Sequence, residues 1–308
     1  GATRQATVDA VHHAPGGPGD ITLADLAGYR VKEREPVCFG YRRDRVCGMG
    51  RPSSGGLAVG QILKLVEGFD LGRSPADALN PRALHLIAEA QKLAFADRDH
   101  YLGDPDFVPV PGGLLDAPYL GAGRLLINPQ TAMQKASPGT PPQAGKLRPG
   151  VDETVEQDGT THFSIVDGDG NIVSMTSTIE AAFGSRLWGA GFLLNNELTD
   201  FALRPVDRAG RPLANAVAPG KRPRSSMAPT IVFDEQGHPW AALGSPGGSR
   251  IILYVVKTLV ALIDWRLDAQ EAVSLMNFGS RGGPFEIEIG HRGALWHALR
   301  MRPYGHRI

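Results

Sequence analysis

Apolar residues in the first half of the chain recur with the three- and four-residue spacing of helices. A long helix is predicted to begin at Asn80 and Pro81, because an asparagine N-cap followed by proline is typical of a helix start. Its inner face is marked by Leu84, Ile87, Ala88, Gln91 and Phe95. We expect Lys92, Asp97 and Arg98 to lie near its solvent side, since charged side chains are rarely buried.

The second half of the chain shows the alternation of apolar and polar residues that is typical of strands. Residues 161–167 and 172–179 alternate on either side of a Gly-Asp-Gly turn, which predicts a hairpin. A three-residue loop would place Thr160 directly opposite Thr178, whereas a two-residue loop would place Thr161 there. The loop length therefore decides which threonine faces Thr178.

One long segment, residues 128–159, lacks either pattern. Its prolines, glycines and polar residues indicate a linker. A loop of this length inside a domain is usually functional or disordered. Elsewhere, strands and helices mix without a regular βαβ rhythm, so the predicted fold class is layered, either α/β or α+β.

The composition argues against two classes of function. The chain has 308 residues, and its 32 Lys and Arg balance 32 Asp and Glu, so there is no positive excess to bind a nucleic acid. No apolar run is long enough for a membrane span, and no signal peptide opens the chain. The 39 Gly and 24 Pro are scattered between apolar segments, which predicts many tight turns.

Two cysteines flank the charged segment 41–45 in a second predicted hairpin. If Arg42 and Arg43 form a two-residue loop, Cys38 and Cys47 face each other across the strands. The pair is then either a disulfide, which would imply an oxidising compartment, or two ordinary thiols.

The junction of Gly159 and Thr160, where the linker meets a strand, is the first candidate for chemistry. If this peptide bond is broken, Thr160 gains a free α-amino group beside its own hydroxyl. An amine with a pKa of about 8 is a competent base near neutral pH, and it can activate a hydroxyl nucleophile. In the three-residue register, Thr178 could hydrogen bond to that hydroxyl. The alternative is that both threonines are ordinary strand residues.

Gly247 and Gly248 precede an apolar helix that is predicted to begin at Ile251. Successive glycine N–H groups at a helix N-terminus can hold a phosphate or the oxyanion of a tetrahedral intermediate. No Lys-Ser or Lys-Thr pair follows, as a P-loop would require. An oxyanion site or a plain turn therefore remains.

Two pairs of polar residues suit the charged groups of a substrate. Glu197 and Asp200 follow an apolar strand and suit an ammonium group, although a solvated turn has the same pattern. Ser225 and Ser226 suit a carboxylate, or have no binding role. The nine histidines show no convincing metal-ligand spacing, and we predict neither a metal nor a cofactor.

Taken together, these segments resemble the γ-glutamyltransferase family. The resemblance covers nearly all of the chain, and its specific parts are the Thr-Thr-His segment at 160–162 and the Gly-Ser-Pro-Gly-Gly segment at 244–248. The matching segments are 25–29, 52–56, 89–98, 160–167, 194–197, 224–230 and 244–250.

The resemblance implies a four-layer αββα sandwich of the Ntn-hydrolase type, an α+β fold that is incomplete in this chain. It also implies a precursor that cleaves itself between Gly159 and Thr160. Residues 1–159, ending in the linker 128–159, would be the C-terminal part of a large subunit, and residues 160–308 would be the small subunit of the same structural domain. Family members usually act in the bacterial periplasm or are secreted. The implied partners are a small-molecule γ-glutamyl donor and an acceptor, which is water or an amine.

The resemblance also implies roles for individual residues, with Thr160 as the nucleophile. The other roles fall to Thr178 beside the nucleophile, Gly247 and Gly248 in the oxyanion hole, Glu197 and Asp200 at the substrate α-amino group, and Ser225 and Ser226 at its α-carboxylate.

Two departures from the family pattern leave the substrate open. Glu180 stands where the family commonly has asparagine, which adds a third carboxylate to Glu197 and Asp200. The arginine with which family members hold the substrate carboxylate lies upstream of this chain's first residue, and the family's last segment has no counterpart here. Two alternatives therefore remain: a related acylase of the cephalosporin or glutaryl type, and an inactive binding homologue in which the Gly159–Thr160 bond stays intact.

Overall fold

Helices and short antiparallel strands alternate irregularly along the chain, as an α+β fold requires. The structure is a computed structural model that describes residues 1–154, 156–157 and 159–308. The α-helices of the described residues are α1 Ala2–His12, α2 Leu23–Gly28, α3 Gly55–Val66, α4 Pro81–Tyr101, α5 Ala117–Arg124, α6 Ile251–Ile263, α7 Ala269–Ser274 and α8 Ala294–Met301. The strands are β1 Val37–Tyr41, β2 Asp44–Gly48, β3 Thr160–Val166, β4 Ile172–Thr178, β5 Trp188–Gly189, β6 Phe192–Leu193, β7 Thr230–Phe233, β8 Pro239–Leu243, β9 Phe278–Gly279 and β10 Glu286–Ile287.

Three helices, α3, α4 and α6, form the main hydrophobic core. The start of α4 is the predicted one, because the Asn80 side chain accepts a hydrogen bond from the Arg82 amide at 3.0 Å and Pro81 is the first helical residue. Residues from both halves of the chain are fully buried together in this core; they include Ile62, Leu63, Leu84, Ile87, Val256, Leu259 and Trp265. The core therefore joins segments on both sides of the linker.

A four-stranded antiparallel sheet, in the order β1-β2-β7-β8, packs against α3. The predicted two-residue loop at Arg42 and Arg43 is present, and it sets Cys38 opposite Cys47. The two sulfur atoms are joined in a disulfide.

The predicted hairpin that begins at Thr160, β3–β4, lies against β8. Its register is the one that a three-residue loop gives, with Thr160 opposite Thr178. Its inner face is polar, and the hydroxyls of Ser164 and Ser174 donate hydrogen bonds to carbonyls of β8 at 3.2 and 3.1 Å. Its outer face is apolar and is 40–53% exposed at Phe163, Ile165, Val173 and Met175. Within the described part of the chain, the layers are therefore helices, sheet and hairpin, and no helix covers the hairpin's outer face.

The linker 128–159 contains no helix or strand among its described residues, as its composition predicts. It nevertheless makes specific contacts with α4. Lys92 Nζ donates a hydrogen bond to the Met133 carbonyl at 2.9 Å, and Asp97 accepts one from the Gly139 amide at 2.9 Å.

This packing makes one expectation wrong. Lys92, Asp97 and Arg98 do not lie near solvent: each is 3–5% exposed, because the linker covers that side of α4. The hydrophobic pattern identified the helix face that meets other helices, but it carries no sign of a face that is covered by a loop through polar contacts. None of the described helices is long and apolar enough to cross a membrane.

Candidate functional site

Thr160 begins β3 at the point where the linker ends, and Thr178 ends β4 directly opposite. The Thr160 hydroxyl donates a hydrogen bond to the Thr178 hydroxyl, with 3.3 Å between the oxygens. Thr178 Oγ1 also accepts a hydrogen bond from the Glu180 amide at 2.8 Å, which fixes its position. The hairpin turn therefore sets the geometry of the proposed nucleophile through the register.

Gly159, the residue before Thr160, fits where it does only because it lacks a side chain. A β-carbon built on it would lie 2.0 Å from the Glu180 carbonyl oxygen and 2.5 Å from the Ala181 carbonyl carbon. Real β-carbons do not approach backbone atoms this closely, so any larger residue would move the Gly159–Thr160 bond. The segment after β4 thus holds this peptide bond in place.

A small pocket surrounds Thr160. Its cavity volume is about 10 Å³, which is near the space that one water needs. The walls are made by Glu156, Gln157, Thr160, Thr178, Glu180, Asp200, Ser225, Ser226, Met227, Gly248 and Ile251. Six of the predicted site residues thus line one space with Thr160, and two linker residues, Glu156 and Gln157, complete its walls.

Carboxylates crowd one side of this pocket. Burial, together with the negative charges of Glu156, Glu197 and Glu180, raises the pKa of Asp200 to about 8. Burial and the charge of Glu180 also raise the pKa of Glu197, and the nearby Thr178 hydroxyl opposes this shift. Glu197 Oε1 is buried and has no hydrogen-bond partner among the described residues. An unpaired buried acceptor beside neighbouring carboxylates is suited to binding a cation.

Glu180, the departure from the family pattern, is buried and has a backbone φ of 72°, which is unusual for a residue with a side chain. Its carboxylate accepts a hydrogen bond from the Asn196 side chain, and the Gln157 amide approaches it at 3.4 Å. Glu180 therefore shapes the same pocket wall as Asp200.

The glycine pair lies at the start of the helical segment that leads into α6. Gly247 and Gly248 have φ values of 132° and 53°, which only glycine adopts without strain. Gly248 lines the pocket, and so does Ile251, the first residue of α6. Backbone N–H groups in such a turn, next to the positive end of a helix dipole, suit a developing oxyanion.

The two serines, Ser225 and Ser226, have different hydrogen-bond partners. Ser225 is bound into the local turn, because its hydroxyl accepts a hydrogen bond from the Met227 amide at 3.1 Å. The Ser226 hydroxyl instead donates to the carboxylate of Glu156 at 2.5 Å and accepts from Arg98 Nη2 at 2.6 Å. Ser226 thus already binds a carboxylate in this structure. That carboxylate belongs to Glu156 of the linker.

Sequence reasoning missed the charged network behind Ser226. Arg98 Nη2 pairs with Glu156, and Arg224 Nη2 lies 3.2 Å from Asp152 and 3.8 Å from Glu156. Burial alone would raise the pKa of Glu156, but the two guanidinium groups hold it below its usual value. Arg98 falls in a segment that carries the family resemblance, which was the available signal. Glu156 had none, because its partners are 58 and 70 residues away in sequence.

Two other features lie outside this pocket. His85, Glu89 and His306 place potential ligand atoms within 4.8 Å of one another. However, both ring nitrogens of His85 are hydrogen bonded. The Glu89 carboxylate accepts hydrogen bonds from Lys92 Nζ and from the Met133 amide. These potential ligand atoms already have protein partners, so we assign no metal. A larger cleft of about 730 Å³ opens between α4 and the linker, but neither Thr160 nor Gly248 lines it.

The chain matches the family model described as Gamma-glutamyltranspeptidase over residues 1–308. It is 42% identical over 281 residues to a glutathione hydrolase proenzyme of Escherichia coli (strain K12), a match that covers 88% of this chain and 46% of the relative. It is 38% identical over 293 residues to an acylase ACY 1 proenzyme of Pseudomonas sp. (strain SE83), which covers 94% of this chain and 48% of that protein.

A solved structure of cephalosporin acylase from Bacillus halodurans superposes with a TM-score of 0.79 at 27% identity, covering 99% of this chain and 52% of the other. The chain therefore spans about half the length of the relatives that it matches. The predicted fold class, an α+β fold of the Ntn-hydrolase type, is confirmed. The family model matches the whole length of the chain, and the fold is shared with an acylase of that type. This chain therefore belongs to the γ-glutamyltranspeptidase family.

Proposed function

We propose that this chain carries the nucleophile and the donor-binding residues of a self-cleaving γ-glutamyl hydrolase and transferase. The observation that carries the proposal is the pair of threonine hydroxyls, Thr160 and Thr178, 3.3 Å apart in a pocket that also holds Gly248 and Asp200. A hydroxyl nucleophile, an N–H cradle and an ammonium site in one small space are the parts that amide cleavage of an amino-acid side chain requires.

The first proposed reaction is self-cleavage. The Thr160 hydroxyl oxygen attacks the Gly159 carbonyl carbon, its proton passes to the departing Thr160 nitrogen, and the peptide becomes an ester on the Thr160 oxygen. Water then hydrolyses this ester, which leaves a carboxylate on Gly159 and a free amino group on Thr160. The close packing of Gly159 against Glu180 supports this step, because it holds the carbonyl in a fixed position.

The second proposed reaction is acyl transfer. The freed α-amine of Thr160 takes the proton of its own hydroxyl as the oxygen attacks the donor's γ-amide carbonyl. The N–H groups of Gly247 and Gly248 bind the resulting oxyanion. Collapse of the intermediate breaks the C–N bond, the leaving amine takes the proton, and a γ-glutamyl ester remains on Thr160. Water or an acceptor amine then attacks this ester and restores the hydroxyl.

The charges of the pocket favour a γ-glutamyl donor. Glu197, Asp200 and Glu180 suit the α-ammonium group of glutamate, and Ser226 suits its α-carboxylate. The similarity to acylases supports a second candidate with a glutaryl-type donor. A glutaryl group, however, has no ammonium to offset these three carboxylates, so we favour the γ-glutamyl donor.

Subunits and location follow from the same proposal. Cleavage before Thr160 would make residues 1–159 part of a large subunit and residues 160–308 the small subunit. We propose a bacterial periplasmic or secreted location. The disulfide between Cys38 and Cys47 supports it, because disulfides persist in oxidising compartments.

The intact mass of the full-length protein tests the proposal, measured beside Thr160→Ala under denaturing conditions. We expect two fragments, the smaller beginning at Thr160, and one uncut chain for the variant. The cleaved protein should then hydrolyse L-γ-glutamyl-p-nitroanilide faster than glutaryl-p-nitroanilide. The opposite preference would support the acylase. An uncut wild-type chain without turnover would support the inactive binding homologue.

A further inference from the structure

A closed ring of hydrogen bonds holds the residues that follow the two glycines of the proposed oxyanion site. Arg281 Nη1 donates to the Ser249 hydroxyl at 2.8 Å. The Nε and Nη2 atoms of Arg281 both contact Glu286 Oε1, at 2.9 and 2.7 Å. The other oxygen of Glu286, Oε2, accepts from Arg250 Nε at 2.6 Å. Since Ser249 and Arg250 are neighbours in sequence, the ring closes through the backbone.

The turn at Gly247 and Gly248 depends on contacts of this kind. The φ values of the two glycines, 132° and 53°, are accessible to glycine without strain, but glycine also has more alternative backbone conformations than any other residue. An unusual turn persists only when its surroundings determine it. The Arg250 amide donates to the Gly247 carbonyl at 3.0 Å, and Ser249 is buried. The ring therefore limits the directions in which the glycine N–H groups can point.

The other side of the ring is attached to the hydrophobic core. Glu286 is paired with Gly279 in the β9–β10 ladder. Ser280, the residue before Arg281, is fully buried, and its amide donates to Gln91 Oε1 of α4 at 2.9 Å. Arg281 thus extends from a loop whose position α4 and the ladder both fix.

We propose that Arg281 is a positioning residue for acyl transfer, and that it holds the Gly247–Gly248 turn in the conformation that binds the oxyanion by acting through Ser249 and Glu286. This inference rests on the proposed function. Arg281 does not line the Thr160 pocket; it lines the larger cleft described above. It therefore influences the reaction through the turn, without touching the donor.

This role predicts a specific kinetic defect. The negative charge on the donor oxygen develops only in the transition state, so a displaced turn weakens the transition state more than the bound donor. The ammonium site at Glu197 and Asp200 lies on a different segment and keeps its geometry. Loss of the ring should therefore slow acylation without weakening recognition of the amino-acid end of the donor.

Kinetics of the cleaved full-length protein test the inference, with rates expressed per cleaved molecule as counted by intact mass. Arg281→Met removes the guanidinium donors and keeps an unbranched side chain. The matched control is Arg292→Met, which replaces an exposed arginine before α8. We expect Arg281→Met to lower kcat/KM for L-γ-glutamyl-p-nitroanilide about 10- to 100-fold, and the control to leave it unchanged.

Two competitive inhibitors separate positioning from a general disturbance of the pocket. The first is 2-amino-4-boronobutanoate: its boron accepts an electron pair from the Thr160 oxygen, whose proton passes to the Thr160 amine, and becomes a tetrahedral anion. The second is L-norvaline, which has the ammonium, the carboxylate and the chain length of glutamate but no side-chain oxygen. In Arg281→Met, Ki for the boronate should rise by the factor by which kcat/KM falls, and Ki for norvaline should not change.

Three results would overturn the inference in a wild type that turns over the donor. These are equal kcat/KM for Arg281→Met and Arg292→Met, an unchanged Ki for the boronate, and equal increases in Ki for the boronate and norvaline. The last result would mean that Arg281 supports the pocket as a whole. A wild type that neither cleaves itself nor turns over the donor would overturn the proposed function itself, so the two failures are distinct.

A second variant applies if Arg281→Met does not fold or does not cleave itself. Ser249→Ala removes only the hydroxyl through which Arg281 contacts the turn. We expect kcat/KM to fall about tenfold, as for the loss of one hydrogen bond to a charged group, with the same selective effect on the boronate. Its control is Ser274→Ala, at an exposed position at the end of α7. Equal kinetics for the two serine variants would overturn the inference.

Discussion

Thr160 Oγ1 lies 3.3 Å from Thr178 Oγ1, directly across the β3–β4 hairpin. In the uncleaved chain, this contact positions the proposed nucleophile. We expect Thr178→Val, which keeps the shape and removes the hydroxyl, to slow self-cleavage and turnover by about tenfold each, as for the loss of one hydrogen bond. Time courses of fragment formation and of p-nitroaniline release measure the two rates.

The preceding residue, Ser177, offers a matched control for this prediction. Ser177 is exposed and faces the other side of the hairpin, so Ser177→Ala should leave both rates unchanged. Thr178→Ser should restore most of the lost rate. If Thr178→Val and Ser177→Ala behave alike, the hydrogen bond has no role in the chemistry.

Gly159→Ala should impair self-cleavage while leaving Thr160 intact. Its β-carbon would overlap the Glu180 carbonyl oxygen, so the scissile bond must move away from the Thr160 hydroxyl. Because misplacement of about 1 Å is costly to a positioned reaction, we expect cleavage to slow by about tenfold or more. The control is Gly168→Ala in the hairpin turn, where a β-carbon meets nothing within 4 Å. Cleavage of Gly159→Ala at the wild-type rate would contradict the close packing of the junction.

Asp200 should make the uncleaved chain less stable as pH rises. Its folded-state pKa of about 8 exceeds the usual value of 3.8, so the folded protein holds a proton that the unfolded chain releases. This contribution to stability is complete below about pH 4 and is lost as pH rises through about 8. Urea denaturation of Thr160→Ala across this range measures it.

Asp200→Asn in the same background isolates the contribution of that residue. Asparagine cannot ionise, so the decline in stability between pH 4 and 8 should become shallower. Glu197, whose pKa is also raised, should account for part of the remaining slope. An unchanged slope in the asparagine variant would show that Asp200 is already ionised in the folded chain.

Glu197→Gln tests recognition of the donor's ammonium group. Glu197 Oε1 is buried without a partner among the described residues, so a bound ammonium would satisfy it. We expect KM for L-γ-glutamyl-p-nitroanilide to rise about 10- to 100-fold. KM for glutaryl-p-nitroanilide, which has no ammonium, should change little or fall. A comparable rise for both donors would place the role of Glu197 in the structure of the pocket instead.

Loop length determines the strand registers, so the sequence could limit each register to a few options without choosing between the loop lengths. A two-residue loop at Arg42 and Arg43 set Cys38 opposite Cys47, and a three-residue loop set Thr160 opposite Thr178. Helix starts with a clear cap, such as Asn80 before α4, were predictable for the same local reason. Short-range rules therefore limited the partner of Thr178 to Thr160 or Thr161, and the structure shows that it is Thr160.

The burial of Arg98 was not predictable in this way. A charged residue beside a helix's apolar face is assigned to solvent by default, and the partners that bury Arg98 lie 58 and 128 residues further along the chain. One of them, Glu156, belongs to a segment whose composition indicates only a linker. Hydrophobic periodicity does not predict polar contacts between a helix and an irregular segment. The ion pair between Arg98 and Glu156 was therefore found only in the structure.

The hairpin that bears Thr160 has two chemically opposite faces. Hydroxyl groups line the inner face. The outer face is an exposed apolar surface formed by Phe163, Ile165, Val173 and Met175. Since alternate residues point to opposite sides, polar replacements at these four positions would alter how the molecule associates with apolar surfaces and leave the reacting groups in place. Substitutions on the outer face of these two strands can therefore change the association of the protein with apolar surfaces without changing the proposed catalytic groups on the inner face.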